Sequence, residues 1–127
     1  MQLPVPAVAA TALIEVVRIS RLPGTRDVPY PGEVVAHWAG EEAAEVLALM
    51  GSLPGSVQHR CGFSPGWGVR AYDSTLDLPL FEAAFCFTCD EVRMRGAAVP
   101  PGLATQFFDA GAEQARALLA RFRSAAT

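Results

Sequence analysis

Four side chains of the types that hold zinc stand in two short motifs, His59-Arg-Cys61 and Cys86-Phe-Thr-Cys89. Imidazole nitrogen and thiolate sulfur bind that ion tetrahedrally, so the set is the first candidate for chemistry. In a strand, His59 and Cys61 share a face because side chains alternate with period two. Val57 shares that face, which favours a buried surface where His59 is a satisfied core histidine and Cys61 a small hydrophobe. Cys86 and Cys89 are three apart, and a regular strand sends them to opposite faces. Phe81, Ala83, Phe85 and Phe87 set an odd inward parity, whereas Val92 and Met94 set an even one, so the register flips between them. A break ahead of Cys89 brings both thiols onto one outward face, and a later break keeps them apart. The acidic pair Asp90-Glu91 is the natural place for a later break, which predicts thiols that neither bridge nor share an ion.

Other chemistries lack their context. Thioredoxin-type exchange needs its first cysteine at a helix N-terminus, where the dipole lowers the thiol pKa, and Cys86 reads as a strand residue. A Cys-His hydrolase built from Cys61 or Cys86 with His37 or His59 has no recognisable nucleophile turn or orienting group. Gly66-Trp-Gly68 could present backbone donors to an anion, but a phosphate cradle leads into a helix and a strand follows here. The carboxylate pairs Glu41-Glu42 and Asp90-Glu91 are adjacent rather than spaced across a cleft, as solvated faces are. Trp67 is the best candidate for a partner anchor, since a large aromatic on a loop often serves that purpose. Arg70 beside it and Tyr30 in a long loop complete the candidate binding set.

The elements that position these residues follow from periodicity. Ala12 to Ser20 is β-branched and bounded by proline-bearing stretches, and Glu33 to Trp38 alternates, so both read as strands. Between them, Arg21 to Gly32 carries three prolines and two glycines, the composition of a surface loop. Ala43, Val46, Leu47 and Met50 recur at helical spacing within Glu41 to Met50, with acids in the first turn. Val57 to Cys61, Gly68 to Asp73 and Leu80 to Arg95 read as three further strands. Asp109 is placed to cap a last helix striped by Ala115, Leu118, Leu119 and Phe122. The expected fold is α+β, with an antiparallel sheet of about five strands in ββαβββα order and two helices on one face. It is a single domain over residues 1–127, with an irregular N-terminal arm over 1–11 and the Pro/Gly-rich loop over 21–32.

Composition narrows the functional classes. The 127 residues are 51% apolar and 18% charged, enough to bury a core without metal or disulfide staples. A net charge of -3 lacks the basic footprint of a phosphate-neutralising protein, which argues against nucleic acid as a partner. Glu15 and Arg18 interrupt the longest apolar run, so no membrane span is expected. Lysine and asparagine are absent and every basic residue is arginine, a bias of high-GC bacterial genomes. An odd count of three cysteines without a secretory framework points to free or metal-bound thiols in a reducing cytoplasm.

Phe63-Ser-Pro-Gly-Trp-Gly-Val-Arg70, Phe85-Cys-Phe-Thr-Cys89 and Phe108-Asp-Ala110 together resemble a family of short bacterial proteins. That family carries a Cys-Phe-x-Pro-x-His-Gly-Ile-Arg type turn, an Ile-Cys-Phe-x-Cys strand and a C-terminal helix. The resemblance covers roughly the last two thirds of the chain and implies an α+β fold with no established activity. The family's cysteine falls at Gly62 and its histidine at Trp67. From the residues themselves, the leading expectation is a small non-enzymatic binding or interaction module, acting on another protein or on a second copy of itself without a cofactor. The alternative is a zinc-binding or thiol-reactive protein using His59, Cys61, Cys86 and Cys89.

Overall fold

The computed structural model describes residues 1–20, 30–58 and 61–127; His59, Arg60 and residues 21–29 of the Pro/Gly-rich loop lie outside the described residues. Alternation decides the sheet. Ile14 and Val16 of β1 (Leu13–Ile19) point to one side, while Glu15, Val17 and Ile19 point to the other. β1 lies between β2 (Gly32–Ala39) and β3 (Trp67–Tyr72), and β4 (Phe81–Cys86), β5 (Glu91–Arg95) and β6 (Thr105–Phe107) continue outward from β3. The six strands run in the order β2-β1-β3-β4-β5-β6, every neighbour antiparallel.

The inner face carries the main core. Ile14, Val16, Trp38, Val69, Phe81, Phe85, Val92 and Met94 meet Val46 and Met50 of α2 (Gly40–Gly51) and Leu118 and Phe122 of α3 (Glu113–Ala125). Both long helices therefore pack on one face of the sheet, as the apolar stripes require. β2 passes into α2 with no linker because Gly40 takes φ +58, a conformation a β-carbon disfavours. Phe122 gathers the aromatics, with ring centres 6.0 Å from Trp38, 5.6 Å from Trp67 and 5.7 Å from Phe85. Leu119, expected in the same stripe, is only half-buried and stands outside this cluster. The reason is angular: Ala115, Leu118 and Phe122 already fill the narrow arc that meets the sheet.

Several expectations need correcting. Leu80 to Arg95 is not one strand but a hairpin, with Phe87 to Asp90 as the turn between Cys86 and Glu91. The parity flip was real, and its cause is this turn, closed by Asp90 at φ +55. Val57 and Cys61, expected on a strand, are in none; the chain there is held by a bridge from Gly55 to Phe108 instead. The N-terminal arm contains a short helix, α1 (Val5–Ala10), with proline in its first turn, where a missing N–H costs nothing. Asp109 does not cap α3, whose N-cap is Ala112; its carboxylate accepts from the Gly111 N–H at 2.9 Å in the turn before the helix.

The outer face carries a transverse row of charge. His37, Glu15, Arg70, Glu82 and Arg95 stand opposite one another on β2, β1, β3, β4 and β5. Successive side chains approach to 3.5, 3.3, 3.6 and 3.7 Å. Beside the row, Val17, Ile19, Tyr30 and Ala84 form a small second cluster with Phe63 against it.

Candidate functional site

The candidate metal set is organised by a covalent bond. Cys61 and Cys89 form a disulfide with their α-carbons 5.7 Å apart, and the Cys86 thiol is free and buried. The expectation of free or metal-bound thiols throughout is thus corrected for two of the three cysteines. A sulfur in a disulfide is not a thiolate, so in this state Cys61 and Cys89 offer no zinc ligand. Among the described residues, no group of three or more His, Cys, Asp or Glu side chains is arranged around a metal position. His59, the fourth member of the set, lies outside them. The turn over Phe87 to Asp90 begins ahead of Cys89 and contains it, not at the Asp90-Glu91 break that was expected, so this cysteine leaves the strand's alternation and turns toward the segment that follows Cys61. Its sulfur lies 3.2 Å from the Gly62 carbonyl.

The three candidate binding residues are engaged inside the fold. Trp67 opens β3 on the inner face, half-buried, parallel to Phe122 and with Arg18 5.4 Å above its ring. Two contacts that a sequence cannot display, with α3 and with β1, draw it in. Arg70 sits at the centre of the charged row and donates to the Tyr30 carbonyl at 3.0 Å. Tyr30 is buried, its N–H donating to Glu82 at 3.3 Å and its ring lying under Arg95 at 4.0 Å. Burial pushes the Tyr30 hydroxyl above the usual phenol range, although the charges of Arg95 and Arg93 pull against it. Glu15 shows the opposite balance. Burial raises it, but hydrogen bonds from Tyr72 and Arg70, the Arg70 charge and His37 outweigh that and hold the carboxyl below its ordinary range.

A site that the sequence did not disclose lies on the helical side. The N-terminal arm, α1, α2 and the segment around Pro100 enclose an open groove of about 1090 Å³. Val5, Pro6, Ala44, Ala48, Pro100 and Leu103 are among its walls, and no charged side chain lines it. Ala44 and Ala48 stand one helical turn apart on α2, beside the stripe that enters the core, and both are exposed. Their small side chains make a shallow floor where larger ones would fill the space. Val5 on the opposite wall is 77% exposed. The arm is fixed by an amide clamp: the Gln2 N–H donates to the Gln106 side-chain oxygen at 2.7 Å, and the Gln106 amide donates back to the Gln2 carbonyl at 2.8 Å. Thr11 closes α1 by donating to Ala7 at 2.7 Å. The available signal was the run Pro-Val-Pro-Ala-Val-Ala-Ala, apolar but unpatterned, together with a second alanine stripe on α2.

No family, curated protein or solved structure matches this chain. The groove and the cysteine cluster therefore have to be read from their own chemistry. Among the described residues no helix is long and apolar enough to cross a membrane.

Proposed function

We propose that this protein is a non-enzymatic binding module that seats an apolar segment of another protein in the groove between α1 and α2. One observation carries the reading: about 1090 Å³ of open space walled mainly by apolar side chains, with no charged side chain among them. Exposed apolar surface of this kind marks interaction sites on soluble domains. An open groove along a helix suits an extended or helical segment, whose apolar side chains enter at intervals while its polar side faces water. The resemblance to short bacterial proteins implies a fold and no activity, and carries no part of this proposal. A cytoplasmic location is compatible with the Cys61–Cys89 bond if the bond is made and broken in use, the ordinary form of a cytosolic disulfide.

An anilinonaphthalene dye that brightens in apolar surroundings tests the groove directly. Native protein should bind it at one saturable site, and Ala44→Trp, which fills the floor from an exposed position, should weaken binding about tenfold or more. Equal binding by the variant, or none by the native protein, would refute the proposal. Sedimentation identifies self-association: a dimer that Ala48→Arg dissociates makes the occupant a second copy rather than a different protein.

A further inference from the structure

Cys86 and Cys89 stand at the two ends of one backbone hydrogen bond in the turn of the β4–β5 hairpin, and Cys89 is already bonded to Cys61. Cys86 closes β4 and Cys89 lies three residues on, within the turn, its N–H donating to the Cys86 carbonyl at 3.4 Å. A turn of this type brings its first and fourth α-carbons within about 7 Å, which overlaps the span of about 4.4 to 6.8 Å that a disulfide accepts. Direction agrees with distance. Alternation along β4 puts Cys86 on the outer side with Glu82 and Ala84, and Phe63, two residues beyond Cys61, packs on the cluster containing Ala84. The free thiol and the segment just beyond Cys61 therefore lie on the same side of the sheet at this hairpin end. Cys86 is 1% exposed, with its sulfur 3.3 Å from the Thr88 hydroxyl, whereas Cys61 is exposed.

From this placement we infer that the protein carries an intramolecular thiol–disulfide switch. The Cys86 thiolate attacks the Cys89 sulfur, a Cys86–Cys89 bond forms, and the Cys89–Cys61 bond breaks. The electron pair leaves on Cys61, which takes up from solvent the equivalent of the proton that Cys86 released. One thiol and one disulfide stand on each side, so the step consumes neither oxidant nor reductant. Its result is an exchange of constraints. A link between residues 28 apart in sequence gives way to one confined to a single turn, and the chain around Cys61 is released from the hairpin. Burial of Cys86 keeps outside reagents from the attacking thiol, while the leaving sulfur emerges in solvent as a reactive site. The Thr88 hydroxyl is placed to donate to the thiolate as it forms.

Alkylation of the full chain, purified without reductant and kept native, reads the switch directly. N-ethylmaleimide at about pH 8, where free thiols begin to ionise, is followed by acid quench and peptide mapping. The expected product carries label on Cys61 and a Cys86–Cys89 bond in the same molecule. In Cys86→Ala, and in Cys86→Ser should the alanine variant fail to fold, label at Cys61 should fall by about tenfold or more because the attacking group is gone. Label on Cys86 with Cys61–Cys89 intact would overturn the inference. So would the absence of label over a period in which denatured protein reacts completely, or persistence of Cys61 labelling in the variant.

Discussion

Replacing Cys61 by serine isolates what the disulfide contributes to stability, because Cys61 is exposed and the substitution leaves the core intact. In the chain-entropy account, a link between residues 28 apart removes about 12 cal/mol/K from the unfolded chain, or about 3.6 kcal/mol at 25 °C. For 127 residues, unfolding entropy near the midpoint is roughly 270 cal/mol/K, so loss of the link should lower Tm by about 13 °C. Calorimetry is run on oxidised wild type, reduced wild type and reduced Cys61→Ser. Reductant in the variant sample keeps Cys86 and Cys89 from pairing with each other. The two reduced samples should melt together, well below the oxidised one. If oxidised and reduced wild type melt within about 2 °C of each other, the link does not restrain the unfolded chain as reasoned, and the entropic argument fails.

Phe122→Ala, which empties the meeting point of four aromatic rings, should cost about 3 to 5 kcal/mol in urea unfolding, whereas Leu119→Ala on the half-buried side of the same helix should cost less than about 1 kcal/mol. Equal losses would mean that the helix is rotated about its axis. Glu15 makes a pH-dependent contribution whose sign follows from its lowered pKa: the unfolded state binds the proton more readily, so the contribution is present above the ordinary carboxylate pKa and is lost as pH falls through the lower folded value. Stability curves of wild type and Glu15→Gln should therefore converge in acid. A difference that persists unchanged through the acid range would show that Glu15 does not titrate as described.

Much of the frame was legible because it rests on strong local patterns. The β-branched run of β1 and the i, i+3, i+4, i+7 spacing of α2 each agree with the tertiary outcome. The hairpin was masked by its own turn: Phe87-Thr88-Cys89-Asp90 contains neither glycine nor proline, and its one turn-forming residue is Asp90, which takes the left-handed conformation. The parity flip and the acidic pair Asp90-Glu91 pointed to a break without showing that it was a hairpin turn. The candidate site was less legible for a different reason. Three cysteines allow three pairings, and which pair forms depends on where the chain around Cys61 comes to rest, a long-range fact that spacing does not encode. Trp67 likewise looks like a loop anchor until α3 supplies Phe122 as its neighbour. The groove belongs to no element; its walls come from three stretches of chain far apart in sequence, the N-terminal arm, α2 and the segment around Pro100.

The charged row bears on which sheet this chain can build. Apolar alternation forbids a slip of one residue between strands, since that would turn the core side outward, but it is blind to a slip of two. The row closes that gap. If β4 slid two residues along β3, Arg70 would face Ala84, and Glu82, 9% exposed in the native sheet, would face Tyr72. A buried carboxylate would then lose its opposite cation, at a cost of roughly 3 kcal/mol or more. Because Arg70 and Glu82 each stand between two partners of opposite sign, moving either strand breaks contacts on both of its sides. The five side chains thus work as a checksum written across the strands: a wrong alignment that the hydrophobic code would accept returns an error in charge.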